Sequence, residues 1–110
     1  MITKFQEYQR ATAKTAIYPK ERAIEYCILG LVGEAGEIAN KYKKIIRDNR
    51  GVLTQEHRDK ISDECGDVFW YLSELSTNLG VSLSSLADSN IKKLKQRKEK
   101  KTLGGDGDKR

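Results

Sequence analysis

The stretch Lys20–Asp48, KERAIEYCILGLVGEAGEIANKYKKIIRD, decides how this chain folds. Pro19, just before it, fixes φ and lacks a donor, which suits the first turn of a helix. Apolar residues recur at Ile24, Cys27, Ile28, Leu31, Ala35, Ile38, Tyr42 and Ile45. Steps of three and four mark one face of a helix. Asn49-Arg50-Gly51 reads as its stop, with Gly51 able to adopt the left-handed conformation.

Outward from that helix the pattern repeats. Thr54 is a good N-cap for a second long helix, and Glu56 in its first turn complements the helix dipole. The apolar face there is Ile61, Cys65, Val68, Leu72, Leu75 and Leu79, and Gly80 ends it. Val81 and Leu86 flank Ser82 at the spacing of a hydrophobic staple, so a last helix is expected over Leu83–Lys100. A short helix is expected over Thr3–Ala16. No segment alternates as a strand does, so the expected fold is all-α: an antiparallel bundle of about four helices. Residues 1–100 form its helical domain, and residues 101–110, with glycines at 104, 105 and 107, form a Gly-rich basic tail.

Composition narrows the function. The 110 residues are 37% hydrophobic and 34% charged, enough for one modest core. A chain of this size buries only about 60–70% of its unfolded surface, so oligomerisation is expected to supply part of the stability. No run of about 18 apolar residues exists and the N-terminus is polar, which excludes a helical membrane span and points to the cytoplasm. Cys27 and Cys65 do not make a disulfide scaffold and read as small core residues. The net charge of +5 is unevenly placed: residues 1–91 hold 12 Lys/Arg against 13 Asp/Glu, and residues 92–110 hold 9 against 3. A nucleic-acid binder usually spreads a basic stripe over its domain, and this chain does not.

The chemistry lies in Glu34-x-x-Glu37 and Glu64-x-x-Asp67. Each pair puts two carboxylates on neighbouring points of a helix surface. In an antiparallel hairpin, residues at one level have numbers that add to a constant. Glu34 with Asp67 and Glu37 with Glu64 both add to 101, centred on the turn at Arg50-Gly51. Four acids are therefore expected to converge. Gly30, Gly33, Gly36 and Gly66 around them suggest a close approach, because glycine inside a helix costs about 1 kcal/mol relative to alanine. Clustered carboxylates repel, and a hard divalent cation, Mg²⁺ or Mn²⁺, resolves the repulsion and attracts phosphates. A di-iron bundle adds Glu-x-x-His motifs. Here Asn40 and Asp67 stand three residues beyond Glu37 and Glu64, and His57 is near the turn, where it is expected to be exposed.

Taken together, Gly30–Ala39 (GLVGEAGEIA) and Asp63–Leu72 (DECGDVFWYL) resemble the MazG-like nucleotide pyrophosphohydrolases. Asn90-Ile91-Lys92-Lys93-Leu94 through Arg97, with the Gly-Asp-Gly-Asp-x-Arg ending, resembles its single-domain members. The resemblance implies an all-α enzyme, a homodimer or homotetramer, that uses Mg²⁺ to cleave nucleoside triphosphates to the monophosphate and pyrophosphate. It implies that Glu34, Glu37, Glu64 and Asp67 are the metal-binding and catalytic acids, and that Asn90 and Lys93 contact substrate. Gly33 stands where many members carry a second glutamate, and Lys109 where asparagine is frequent.

Helical spacing agrees on the last helix: Asn90 sits on an otherwise apolar stripe, with Lys93 and Arg97 on its side as candidate phosphate contacts. Tyr71, four residues after Asp67, borders the acid level and is a candidate to stack on a base. Trp70 could stack likewise or fill a subunit interface. Lys44, in the basic run of Lys41, Lys43, Lys44 and Arg47, is a candidate phosphate contact. Either Glu34 or Glu37 could serve as general base. The competing reading is a non-catalytic helical module that binds nucleic acid or an acidic partner through its basic C-terminus.

Overall fold

The computed structural model describes residues 1–108. Lys109 and Arg110, which end the tail motif, lie outside the described residues. Those described form four α-helices and no strand: α1 (Phe5–Ala13), α2 (Ala23–Asn49), α3 (Gln55–Asn78) and α4 (Leu83–Glu99), with a 3₁₀ turn at Lys20–Arg22 leading into α2. The all-α expectation holds. No described helix is long and apolar enough to cross a membrane.

Each helix end has a local cause. Arg50 and Gly51 both take left-handed backbone (φ 54° and 76°), and Gly51 N donates to Ile45 O at 3.1 Å, turning the chain out of α2. Thr54 Oγ1 accepts from His57 N at 3.1 Å, while Thr54 N donates to His57 Nδ1 at 3.2 Å. This is a capping box with histidine in the place usual for glutamate. His57 is therefore half-buried and structural, where exposure was expected. Gly80 (φ 74°) ends the α3 segment, with Val81 N donating to Ser76 O at 3.0 Å. Ser82 Oγ caps α4 by accepting from Ser85 N at 3.1 Å.

Helices α2 and α3 form an antiparallel hairpin and share the most extensive contact in the molecule. The covered positions of α2 include Cys27, Leu31, Glu34, Ile38, Lys41 and Ile45; those of α3 include His57, Ile61, Glu64, Val68, Tyr71 and Leu75. Alternate steps of four and three are those of a coiled-coil seam. The expected apolar stripes need correction here. Ile24, Ile28, Ala35 and Tyr42 of α2 are exposed, as are Cys65 of α3 and Leu79 just past its end. The seam runs through the charged residues Glu34, Lys41 and Glu64, so apolar neighbours are turned outward.

Helix α1 lies on α3, and α4 packs on α1. Tyr18, Ala23 and Cys27 form the core cluster, with Trp70, Tyr71 and Leu75 packed on it. Trp70 Nε1 donates to Thr15 Oγ1 at 2.9 Å, which ties this ring to its own chain. Beside the core, the carboxylate of Glu74, 1% exposed, accepts from Thr12 Oγ1 at 2.6 Å and Tyr18 OH at 2.7 Å. Asn78 Nδ2 donates to the same Tyr18 OH at 2.7 Å.

Candidate metal centre and its flanking clefts

The α2–α3 seam brings one carboxylate oxygen from each of Glu34, Glu64 and Asp67 within 4.8 Å of the others. Glu34 and Glu64 are half-buried; Asp67 is exposed. The cluster is electrostatically unresolved. Burial first, then the Glu64 contact and the charges of Asp67, Glu64 and Glu37, hold the Glu34 carboxyl above the ordinary carboxylate range. Lys41 Nζ reaches Glu64 Oε1 at 3.3 Å, yet Glu64 Oε2 is buried without a hydrogen-bond partner. Three carboxylates with convergent oxygens, on one of which a buried oxygen has no hydrogen-bond partner, fit a hard divalent cation.

Glu37 is exposed and lies outside that group. Glu37, like Asp67, stands three residues after a seam glutamate and flanks the seam rather than lying on it. Of these two flanking acids only Asp67 brings an oxygen within 4.8 Å of the Glu34 and Glu64 oxygens. Of the four expected acids, three meet and the fourth flanks them. The expected close approach at glycine is real at Gly30, where a Cβ would overlap the Tyr71 ring. Gly33, Gly36 and Gly66 have nothing of this chain near a Cβ. Tyr71 is thus a packed wall of the seam. Burial foremost, then Tyr26 and Glu34, pushes its phenol upward.

Next to the acids, toward the turn, lies a cleft of about 240 Å³ lined by Lys41, Lys44, Asp48, His57 and Lys60. Lys44 thus stands among other bases, one stretch of groove away from the three carboxylates. A second cleft, about 330 Å³ and mostly apolar, is lined by Phe5, Phe69, Leu72, Leu86 and Asn90 among others. Phe69 stacks on Tyr8 at 4.5 Å between ring centroids, and Asp67 helps raise the Tyr8 phenol, after burial. Phe69, in the wall of this cleft, stands two residues after Asp67 on α3. Lys93 and Arg97 lie further along α4 and are engaged by the tail: both contact Asp108 Oδ1, at 3.0 and 3.2 Å.

Lys60, Phe5 and Tyr8 belong to no motif, and Phe69, though inside Asp63–Leu72, is not singled out by it. The one signal for Lys60 is the hairpin constant of 101, which sets it opposite Lys41 and sets His57 opposite Lys44. Nothing in the spacing points to the aromatic trio, because it depends on how α1 crosses α3.

No solved structure matches this chain. The chain is similar to the Gene 37 protein of Mycobacterium phage L5, 49% identical over 109 residues that span 94% of this chain and 96% of that protein. Residues 22–102, which carry both acid pairs, the seam and α4, match the profile of the MazG nucleotide pyrophosphohydrolase domain, and the chain belongs to that family.

Proposed function

We propose that this chain hydrolyses nucleoside triphosphates to the monophosphate and pyrophosphate with a divalent cation, Mg²⁺ by preference and Mn²⁺ in its place. The observation that carries this reading is the convergence of Glu34, Glu64 and Asp67 beside a basic cleft in the same groove. When bound there, the cation supplies charge neutralisation for the phosphates and Lewis-acid activation of water.

The protein's own groups do the rest. Lys44, with Lys41 and Lys60, holds the leaving pyrophosphate by charge-assisted hydrogen bonds. Glu37, not committed to the oxygen cluster, keeps its lone pairs and takes the proton from the attacking water. Phe5 and Phe69 offer apolar faces to the nucleoside, and the Asn90 amide supplies a directional hydrogen bond in that cleft. Lys93 and Arg97 contact phosphate.

The working unit is a homodimer or homotetramer. The accessible surface is 8360 Å², against about 6,200 Å² for a compact 12.5 kDa monomer. Leu29 and Val32, 72% and 66% exposed on α2, mark surface that a second copy covers. The competing module reading has less support, since two of the C-terminal bases are already engaged by the Asp108 carboxylate.

Pyrophosphate release, measured over canonical and modified NTPs and dNTPs with Mg²⁺ and with EDTA, tests the reading. Metal-dependent release with a monophosphate product is expected, reduced by about 100-fold or more in Glu64→Gln and Asp67→Asn. Absence of release by folded protein that binds the metal would overturn it.

A further inference from the structure

Arg97 is a buried cation, 5% exposed, in the most basic helix of the molecule. Its Nη2 donates to the carbonyls of Gly107 and Asp108, at 3.4 and 2.9 Å, and to Asp108 Oδ1 at 3.2 Å. Lys93 Nζ, one helical turn earlier, donates to the same carboxylate oxygen at 3.0 Å. The Nε of Arg97 is buried with no hydrogen-bond partner.

The chain reaches this position through a defined turn. Lys101 takes left-handed backbone (φ 57°), Lys101 N donates to Lys98 O at 3.2 Å, and Thr102 N donates to Arg97 O at 2.8 Å. That double closure is a Schellman motif, and it reverses the chain along α4. Gly107 (φ 78°) then provides the second left-handed residue, which brings Asp108 onto the two cations.

We propose that residues 102–108 are a displaceable strap, whose Asp108 carboxylate occupies the Lys93–Arg97 anion site until a phosphate of the substrate replaces it. This rests on the reading of Lys93 and Arg97 as phosphate contacts. The chemistry of the two occupants favours exchange. Asp108 offers a single oxygen to both cations and leaves Arg97 Nε unsatisfied. A phosphate offers three oxygens and pairs with a guanidinium through two parallel bonds. The Asp108 side chain is 81% exposed, so its ion pair with Lys93 is open to water and weak. At Arg97, whose side chain is 6% exposed, the incoming phosphate supplies the negative charge that the leaving carboxylate withdraws. The strap thereby lowers apparent affinity by the fraction of molecules in which it is closed, and keeps the site from adventitious anions.

The test is binding of inorganic tripolyphosphate to the full chain in EDTA, by calorimetry, with ¹⁵N NMR of residues 102–108. Asp108→Asn is expected to tighten binding about 2- to 5-fold. Asp106→Asn makes the same charge change on the same tail without touching α4 and is expected to shift binding less. Tripolyphosphate is expected to give the strap amides narrow, random-coil-like signals. Weaker binding in Asp108→Asn, equal shifts in both variants, strap signals that become more structured, or no binding by the wild type would each overturn the proposal. Because no metal or turnover is involved, its failure is distinct from that of the hydrolase reading: wild-type hydrolysis with an unshifted Asp108→Asn sinks only the strap, and strap release without hydrolysis of any nucleotide sinks only the enzyme.

Discussion

Lys41 Nζ lies 3.3 Å from Glu64 Oε1, and this pair joins the acidic part of the α2–α3 seam to its basic cleft. The lysine is the protein's own partial answer to three converging carboxylates. Lys41→Met removes it while keeping most of the aliphatic stem. In EDTA the variant is expected to lose about 1 kcal/mol, the upper end for a pair that is only partly solvated, and so about 4–8 °C in Tm. Saturating Mg²⁺ is expected to shrink that gap, since the ion supplies the missing positive charge. Thermal unfolding of both proteins with and without Mg²⁺ measures it; a gap that widens with Mg²⁺ contradicts the assignment.

The Glu34 carboxyl is held above its ordinary range by burial and by the neighbouring acids. The folded chain then binds this proton more tightly than the unfolded chain does. Its contribution to metal-free stability is full below the ordinary carboxylate pKa and is lost as pH rises through the folded value. Glu34→Gln removes the repulsion. At neutral pH in EDTA it is expected to raise stability by about 0.5 kcal/mol, roughly 2–4 °C in Tm. The same variant is expected to lose most of the Tm increase that Mg²⁺ gives the wild type. Calorimetric scans at acid and neutral pH, with and without Mg²⁺, check both signs.

The residues show what the sequence could and could not disclose. The hairpin constant of 101 was enough to bring Glu34 to Asp67, because α2 and α3 are straight, adjacent and joined by a short turn. It placed Glu37 at the level of Glu64, but a shared level does not bring a side chain into the cluster: Glu37 and Asp67 both flank the seam, and only Asp67 brings an oxygen to Glu34 and Glu64. Apolar periodicity chose Cys65 over Glu64 for the same seam; hydrophobicity cannot reveal a carboxylate placed at a covered position. His57 as a capping partner of Thr54 was hidden, because that role is usually taken by glutamate or glutamine. The Asp108 latch was illegible, since a tail rich in glycine carries no period from which a return path can be read.

Gly30 tolerates no side chain, because a Cβ there would overlap the Tyr71 ring. Gly30→Ala improves helix propensity by about 1 kcal/mol. Forced displacement of a packed ring costs about 1–3 kcal/mol and is expected to prevail. Tyr71→Ala alone opens a void. Combined with Gly30→Ala it is expected to cost less than the two single changes added together, since the new methyl enters the vacated space. Urea unfolding of the four proteins closes the cycle, and additive costs would mean that the two residues do not meet.

Tyr18 and Thr12 satisfy a carboxylate that has no cation among its hydrogen-bond partners. Burial and Glu74 itself hold the Tyr18 phenol far above its ordinary value, so it remains a donor throughout the neutral range. Tyr18→Phe keeps the shape and removes one donor from Glu74 Oε1 and one acceptor from Asn78. Leaving buried polar atoms unpaired costs about 1–3 kcal/mol, and a loss of that size is expected. Thr12→Val, at the other carboxylate oxygen, is expected to behave similarly. Replacing the whole set with Thr12→Val, Tyr18→Phe and Glu74→Leu removes the charge together with its donors, and the triple variant is expected to be more stable than the double variant that retains Glu74. Chemical unfolding of the series decides it: a triple variant less stable than that double variant would mean that the carboxylate itself, rather than its satisfaction, holds α1 to α3.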